Sequence, residues 1–217
     1  MRLSRLLTLL ILIFTMLAIV ACSGSDLPYV ETFDSAGSWR TGSDTYTEGE
    51  VSDGVYDLTI IGDDVSRWSP AGKNFTNGVY EVEATQVEGP LDNGYGMLLR
   101  ADTEKGDFYL FKVSGDGYVW IGRYVDEVED QTIIGKHWFE SPAVKKGLNQ
   151  TNKLRVNAES GNLIFFINDS EVGRVTDHNF KEGDVGLYAQ SLGLGGVRVL
   201  FDNLSVSPLE KRAPIEN

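Results

Sequence analysis

Cysteine and histidine are scarce in this sequence, and their scarcity excludes several classes of chemistry. Cys22 is the only cysteine among 217 residues, so the chain cannot form a disulfide within itself. His137 and His178 are the only histidines, and they lie far apart. A zinc site needs several His, Cys or carboxylate ligands at characteristic spacing, which these two residues do not supply. The sequence also lacks the Gly-x-Ser-x-Gly elbow of one large group of serine hydrolases.

Basic residues are also few. The chain has 19 Lys and Arg against 32 Asp and Glu, which gives a net charge of −13 at pH 7. Such a surface repels phosphate backbones, and no basic stripe with interleaved aromatic residues offsets it, so nucleic acid is not an expected partner. The same charge argues against flat adsorption to anionic lipid. The acidity favours solubility and is compatible with cation binding.

Long apolar runs are missing except at the amino terminus. Residues 6–20 are interrupted only by Thr8 and Thr15, and Arg2 and Arg5 precede them. A basic start followed by a short apolar core is typical of a secretory signal. A transmembrane helix needs about 20 apolar residues, and this run is shorter and stops at small residues. We therefore expect residues 1–21 to be a helical export signal rather than a membrane span.

The signal ends in Ile19-Val20-Ala21-Cys22, which resembles the lipobox of bacterial lipoproteins. The resemblance implies a diacylglyceryl thioether on Cys22, cleavage before it, and acylation of the new amino terminus by a fatty acid such as palmitate. The alternative is an ordinary signal peptide with a chance cysteine. If Cys22 is lipidated, residues 22–28 form a tether to a membrane of the bacterial cell envelope, on the extracytoplasmic side. No thiol then remains for metal binding or catalysis.

The remaining sequence repeats one pattern, in which a short apolar or alternating run is closed by Gly, Asn or Asp. No long segment holds a 3.6-residue apolar period, so the pattern predicts strands and turns. Two strong hairpin signals are Ser114-Gly115-Asp116-Gly117 and Glu159-Ser160-Gly161-Asn162. The predicted strands lie at residues 29–33, 55–61, 79–86, 94–101, 107–113, 118–125, 152–158, 163–167, 171–176, 185–190 and 197–206. We expect one all-β domain over residues 29–208, followed by a disordered tail at 209–217.

The order of these runs resembles the concanavalin A-like, or laminin G-like, jelly-roll superfamily. It is most similar to small exported modules related to DUF1080, the 3-keto-disaccharide hydrolase family. The stretches that carry the resemblance are residues 33–34, 78–83, 94–100, 108–118, 152–156, 164–169, 183–188 and 201–206. The resemblance implies an antiparallel two-sheet jelly-roll sandwich in which the first and last strands are adjacent. Because such folds carry unrelated activities, it does not fix the function.

The same resemblance implies one structural calcium ion joining the first and last strands. Carried onto this sequence, the last-strand aspartate is Asp202, and its partners are Glu31 and the turn that contains Gly54. Calcium takes hard oxygen ligands from carboxylates and backbone carbonyls, which these positions offer. The alternative is that Asp202 only caps or pairs at the end of the sheet.

The run Asp126-Glu127-Val128-Glu129-Asp130 holds four acids in five residues. We interpret it as a solvated loop after the strand at residues 118–125. A second calcium site is the alternative, although the helix–loop–helix ligand spacing is missing.

Laminarinase-like relatives of this fold place Glu-x-Asp-x-x-Glu along one strand, so that alternation presents the acids to one groove. The nearest segment here runs from Glu81 through Glu83 to Gln86, so its third position is not an acid. It also resembles the Gly-x-Tyr-Glu strand that precedes the catalytic one. A solvated strand face is the favoured interpretation of Glu81 and Glu83.

Aromatic and basic residues concentrate in the middle strands and in the loop after them. Sugars stack their C–H faces on aromatic rings and bond their hydroxyl groups to polar side chains. The candidate ligand-binding residues are Tyr95, Arg100, Tyr109, Lys112, Trp120, Arg123, Tyr124 and Trp138, with Tyr118 and His137 beside them. Tyr118, Trp120, Gly122 and Tyr124 share one strand face. That face is a stacking platform if it is concave, and part of the core if it meets the other sheet.

Three functions remain open at this point. The first is a membrane-anchored, non-catalytic binding module for carbohydrate. The second is a glycoside hydrolase-like enzyme resembling the 3-keto-disaccharide hydrolases. The third is a structural or adhesion protein of the envelope. The sequence indicates neither the ligand, nor which membrane holds the anchor, nor the oligomeric state.

Overall fold

Alternation of buried and partly exposed residues marks several strands of this protein. In the segment from Gly78 to Glu88, Tyr80, Val82 and Ala84 are fully buried, while Glu81 and Glu83 on the opposite face reach solvent. Successive side chains of a strand point to opposite faces, so this pattern gives the strand one core face and one solvated face. The structure is a computed structural model that describes residues 26–126 and 128–210, without the side chains of residues 129–131 and 136. The predicted export signal, Cys22 and residues 211–217 lie outside these ranges.

The described residues form fifteen β-strands, which follow one another along the chain. The first eight are β1 (Tyr29–Val30), β2 (Gly42–Ser43), β3 (Thr47–Ser52), β4 (Val55–Ile60), β5 (Ser66–Pro70), β6 (Gly78–Glu88), β7 (Gly94–Asp102) and β8 (Asp107–Ser114). The other seven are β9 (Tyr118–Val125), β10 (Val128–Glu140), β11 (Thr151–Glu159), β12 (Asn162–Ile167), β13 (Ser170–Thr176), β14 (Asp184–Gln190) and β15 (Val197–Ser207). Within the described ranges, no helix is long and apolar enough to cross a membrane.

Two antiparallel sheets form a sandwich. The nine-stranded sheet has the order β13-β12-β11-β6-β15-β4-β3-β2, and β1 pairs with β15 beside this path. The six-stranded sheet has the order β10-β9-β8-β7-β14-β5. Tyr29 pairs with Val206, so the first and last strands are neighbours, as expected. The prediction of an all-β, two-sheet jelly-roll sandwich is confirmed.

The main core lies between the sheets. It is filled by inward-pointing side chains of the two layers, and the largest are aromatic. The nine-stranded sheet contributes Tyr56, Tyr80, Leu154, Phe165 and Phe201, and the six-stranded sheet contributes Tyr95, Met97, Leu99, Phe111, Ile121 and Leu187. Phe111 and Phe165 meet edge to face across the interface, with ring centres 5.3 Å apart.

Strands β2, β3, β5 and β10 were not predicted, and each lacks a clear apolar run. Strand β3 reads Thr-Glu-Gly-Glu-Val-Ser, and β5 contains Pro70. The expectation of a loop at residues 126–130 was wrong for its second half, because β10 begins at Val128 and pairs with Val125 of β9. The described side chains of this run are those of Asp126 and Val128, so the alternative of a second calcium site stays outside the described residues.

Candidate functional site

The outer face of the six-stranded sheet carries a second cluster of apolar side chains, separate from the core between the sheets. In β9, Val119 and Ile121 point inward, while Trp120 and Tyr124 point outward. In β8, Phe111 points inward, and Phe108 points outward. The expectation that Trp120 and Tyr124 share one face is confirmed, and that face is turned away from the other sheet.

Six aromatic side chains from five strands converge on this outer face, and we call them the aromatic face. They are Trp68, Phe108, Trp120, Tyr124, Trp138 and Tyr188. Phe108 and Tyr124 are stacked at 4.9 Å between ring centres, and Trp68 lies 5.8 Å from Phe108. Trp68, Tyr124 and Trp138 are partly exposed, so the cluster presents ring surface to solvent. Rings in this arrangement offer flat apolar surfaces with polar groups at their edges.

A lysine lies within the aromatic face. The Lys112 ammonium lies 4.4 Å from the ring centre of Trp120, 5.2 Å from that of Trp138 and 5.4 Å from that of Tyr188. It also donates a hydrogen bond of 2.8 Å to Oε1 of Gln190, which accepts a second bond of 2.8 Å from the Tyr188 hydroxyl. A cation over several ring faces is attracted by their negative electrostatic potential, most strongly when water is excluded. Lys112 therefore fixes the positions of these rings.

Gly94 makes room for this arrangement. A Cβ atom on Gly94 would lie 3.1 Å from atoms of both Lys112 and Trp138, and 3.2 Å from the amide carbon of Gln190. These contacts are tighter than ordinary van der Waals packing. A larger residue at this position would therefore require the Lys112, Trp138 and Gln190 side chains to shift.

Beside the rings lies an open groove of about 270 Å³, which we call the aromatic groove. Its walls combine ring surface with hydroxyl and guanidinium groups. The lining residues are Arg40, Ser66, Arg67, Trp68, Phe108, Tyr124 and Tyr188. The volume lies just below the range of about 300–1,000 Å³ that is typical of small-molecule sites.

Of the eight predicted ligand-binding residues, the structure brings four together on the aromatic face: Lys112, Trp120, Tyr124 and Trp138. Tyr118 lies at the start of β9 and is exposed. His137 is exposed on β10 and has a positive φ of 60°. The other four predicted residues point elsewhere.

Tyr95 and Arg100 were placed wrongly by the sequence analysis. Tyr95 is fully buried between the sheets, because alternation along β7 puts it on the side of Met97 and Leu99. Arg100 follows these residues at a bulge with a positive φ of 54°, and it is buried. Its guanidinium donates to the carbonyl oxygens of Thr76 and Phe180 at 3.2 and 3.1 Å. Neither side chain can contact a ligand on the aromatic face.

Tyr109 and Arg123 also point inward, where both bind Asp177. The Tyr109 hydroxyl donates to Oδ1 of Asp177 at 2.6 Å, and Nη1 of Arg123 lies 3.4 Å from Oδ2. Burial raises the pKa of Asp177, but hydrogen bonds from Tyr109 and Asn179, together with the Arg123 charge, outweigh it and hold the pKa below its usual value. Burial, followed by the bond to Asp177, raises the pKa of Tyr109 to about 12. Their role is to join the sheet to the segment before β14.

Several residues of the site were not predicted from the sequence. Alternation along β8 could have found Phe108, since it shares the parity of Lys112. Trp68 lies in the unpredicted strand β5 and reaches the site through its pairing with Tyr188 of β14. Arg40 precedes β2 in a segment with no strand pattern. Only the three-dimensional pairing brings it beside Trp68.

The carboxylates considered for catalysis lie on the other sheet. Glu81 and Glu83 are on β6, with Arg155 and Lys153 opposite them in the register of β11. Oε2 of Glu83 accepts a hydrogen bond of 2.9 Å from the Asn203 side-chain amide. These two acids therefore belong to a polar surface on the far side of the sandwich from the aromatic face. The described residues that line the aromatic groove include no carboxylate.

The three residues predicted to bind calcium have different surroundings in the structure. The Glu31 backbone N–H donates to the Leu204 carbonyl at 2.8 Å, so this acid does lie at the junction of the first and last strands. Its carboxylate, however, already accepts bonds of 2.9 Å from the Tyr29 hydroxyl, the Phe33 N–H and the Trp39 indole N–H. The Glu31 carboxylate therefore has three protein partners without an ion.

Asp202 accepts a bond of 2.6 Å from the Asn203 N–H, and Gly54 approaches the Thr32 carbonyl. Within the described residues, no group of three or more His, Cys, Asp or Glu side chains is placed to hold a metal ion. A calcium ion here would therefore take most of its oxygens from backbone carbonyls. Calcium stays a prediction.

Comparison with solved structures assigns the fold to the concanavalin A-like and galectin-like jelly rolls. The carbohydrate-binding module CBM66 from Bacillus subtilis is 18% identical, with a TM-score of 0.59 over 82% of this chain and 95% of that one. A β-1,3-1,4-glucanase (lichenase) from a mouse hindgut metagenome is 14% identical, with a TM-score of 0.61 over 84% and 99%. A Bacillus subtilis protein of unknown function with a galectin-like fold is 12% identical, with a TM-score of 0.62 over 85% and 96%.

At these identities the likeness shows the fold alone. No protein-family model matches the sequence, and no curated protein matches it. The class of protein is therefore a jelly-roll sandwich, and its function has to be argued from the aromatic face and the groove beside it.

Proposed function

We propose that this chain is a carbohydrate-binding module that uses the aromatic face, held at the bacterial cell surface by a lipid on Cys22. The observation that carries the proposal is the convergence of six aromatic side chains on the outer face of one sheet, with a groove beside them. This surface is not covered by the other sheet. Sugar rings stack on such surfaces, while hydroxyl groups bond to polar side chains at the rim.

The polar groups at the groove suit hydroxyl recognition. The Tyr124 and Tyr188 hydroxyls lie 3.2 Å apart, and Ser66 lies at the rim. The Tyr188 proton is already given to Gln190. The Ser66 hydroxyl can donate and accept a hydrogen bond, as a sugar hydroxyl does, so it is the group that we expect a ligand to contact at the rim. The solved relatives of the same fold include one described as a carbohydrate-binding module and others described as glucanases, which supports a carbohydrate ligand.

We favour binding over catalysis because of where the acidic residues lie. Most glycoside hydrolases use a pair of carboxyl groups that flank the scissile bond. Glu81 and Glu83 face solvent on the other sheet, away from the rings. If the enzyme hypothesis were right, a sugar panel would be turned over, and Glu81→Gln or Glu83→Gln would abolish the turnover. We expect no turnover that depends on either residue.

Binding is tested directly by retention of the purified full-length chain on a broad set of immobilised glycans. We expect retention on at least one glycan, weakened by Trp138→Ala. Retention on none would overturn the proposal. Recovery of a stoichiometric protein partner after mild crosslinking, with no glycan bound, would favour the structural or adhesion role instead.

The anchor is tested separately. Bacteria that express the chain and are fed labelled palmitate should incorporate the label into it, and Cys22→Ser should abolish both the label and membrane association. Two or more acyl chains give stable anchoring, because each buried CH₂ contributes about 0.8 kcal/mol. A labelled Cys22→Ser variant would contradict the lipoprotein proposal and leave the carbohydrate proposal intact.

A further inference from the structure

Two arginines stand at one end of the aromatic groove, and they differ in how their charge is compensated. The guanidinium of Arg67 bonds to the carboxylate of Asp44 and donates to the Thr47 hydroxyl. The Arg40 guanidinium is exposed, and no described carboxylate lies within 4 Å of it. One of the two charges is therefore neutralised within the protein, while the other is available to a ligand.

The backbone of Arg40 is held in place, although its side chain is exposed. Its N–H donates to Oγ of Ser69 at 2.9 Å, and its carbonyl accepts a bond of 2.8 Å from the hydroxyl of the buried Tyr56. Gly49 permits this close approach, because a Cβ there would lie 2.4 Å from the Arg40 carbonyl oxygen. The arginine is thus fixed at its base beside the groove, which lowers the entropic cost of placing its guanidinium on a ligand.

The charge of the groove is opposite to that of the protein. The chain carries a net charge of −13. The described lining of the groove, however, contains two guanidinium groups and no carboxylate. Asp44 offsets the charge of Arg67, so the charge of Arg40 remains next to the rings of Trp68 and Tyr124. A cation in an acidic surface attracts anions only at short range, since the remaining charges repel them from further away. This arrangement favours a ligand that places an anionic group next to a ring face.

We infer that the aromatic groove selects acidic saccharides, with a sugar ring on Trp68 and Tyr124 and a carboxylate or sulfate on Arg40. The inference rests on the proposed carbohydrate-binding function and adds the class of sugar. The planar guanidinium donates two parallel hydrogen bonds to either oxyanion, so both groups offer the same chemistry. A uronic acid and a sulfate ester are the two sources of that anion.

Titration calorimetry on the purified full-length chain tests the inference with four probes. These are tetragalacturonate, a sulfated galactan tetrasaccharide, neutral cellotetraose, and polyglutamate as an anion without sugar. We expect at least one acidic saccharide to bind more tightly than cellotetraose and polyglutamate. Arg40→Gln should weaken that binding about three- to tenfold, as expected for a partly exposed charge-assisted pair, and should weaken any cellotetraose binding by a smaller factor. The tetragalacturonate and sulfated arms identify the source of the anion.

Arg174→Gln is the matched control, because Arg174 is an exposed arginine on the far sheet and its substitution makes the same change in net charge. It should leave binding of both acidic probes unchanged. Equal losses in Arg40→Gln and Arg174→Gln, or binding of polyglutamate as tight as that of the acidic sugars, would overturn the inference. Retention of neutral glycans without any acidic preference would also overturn it, while leaving the proposed function in place. Retention of no glycan at all would overturn both.

Discussion

The Lys112 ammonium lies 4.4 Å from the centre of the Trp120 ring, on the side of the six-stranded sheet that faces away from its partner. The aromatic face is thus ordered around a cation, which also contacts Trp138, Tyr188 and Gln190. Lys112 is buried, and burying a charge is costly unless the charge is compensated. Its compensation comes in part from the rings themselves.

Replacing this lysine should loosen the aromatic face. We expect Lys112→Met, which keeps most of the side-chain volume, to lower the free energy of unfolding by about 1–2 kcal/mol, through loss of the cation–π contacts and the bond to Gln190. Urea unfolding measures the change. Lys181→Met, at an exposed position before β14, is the control and should change it by less than about 0.5 kcal/mol. A Lys112→Met variant more stable than the parent would contradict the organising role of the cation.

Buried tyrosines should make the fold sensitive to alkali. Burial raises the pKa values of Tyr80 and Tyr95 to about 12, and burial with the bond to Asp177 does the same for Tyr109. A raised folded-state pKa contributes stability that is present below the unfolded value of about 10 and is lost as pH rises through the folded value. We expect unfolding to begin above about pH 10, together with phenolate absorbance, when circular dichroism is followed against pH. Tyr95→Phe should move the transition to higher pH, and an unchanged midpoint would contradict this.

The contact of Asp177 with Tyr109 and Arg123 should matter to stability in acid. The Asp177 side chain is only 11% exposed, so Asp177→Asn should lower the free energy of unfolding at pH 7 by about 2–4 kcal/mol. Because the folded-state pKa of Asp177 is lowered, its contribution is present above the unfolded value of about 3.9 and is lost as pH falls through the folded value.

The stability profile of the variant should therefore be flatter than that of the parent below about pH 4. The control is Asp169→Asn, at an ion pair whose carboxylate is 62% exposed, and we expect little change from it. Equal effects of the two substitutions would contradict a special role for Asp177.

Sequence reasoning predicted most of the fold for a physical reason. Strands such as β4, β6 and β11 alternate between apolar and polar residues, and turn residues close them. Alternation depends only on which neighbours a residue has along the chain, so it can be read without the structure. Strands β3 and β5 are held by their partners rather than by their own apolar content, and they were missed.

The site was predicted only in part. Alternation shows which side chains of a strand share a face, but it does not show which face packs against the other sheet. The prediction grouped Tyr109 with Lys112, although the two have opposite parity on β8 and point to opposite sides. Arg100 lies at a bulge, where parity no longer applies. Trp68 comes to the site by pairing with Tyr188 of β14, which lies more than a hundred residues away in the sequence, and Arg40 is held beside it by its bond to Ser69 of β5. A local pattern does not encode either contact.

The contributions of Asp202 and Glu31 to the predicted calcium site can be tested separately. Thermal unfolding with calcium and with a chelator should show a higher Tm with calcium, and Asp202→Ala should remove the difference. A ligand at 100 times its Kd stabilises by about 2.7 kcal/mol, which shifts Tm by several degrees. Because the Glu31 carboxylate is engaged by three donors, Glu31→Gln should lower Tm but keep the calcium response. No shift in the parent chain would end the calcium prediction.

The central claim is that the aromatic face binds sugar, and binding by two tryptophan variants tests it most directly. Each glycan retained in the screen would be titrated against the parent chain, Trp68→Ala, Trp138→Ala and Tyr46→Ala. Tyr46 is an exposed aromatic residue just before β3, outside the aromatic face. We expect Trp68→Ala and Trp138→Ala each to weaken binding about tenfold, the equivalent of about 1.4 kcal/mol of ring contact, and Tyr46→Ala to bind like the parent. Unchanged affinity in both tryptophan variants, with their folds intact by circular dichroism, would place any sugar site elsewhere and contradict the account.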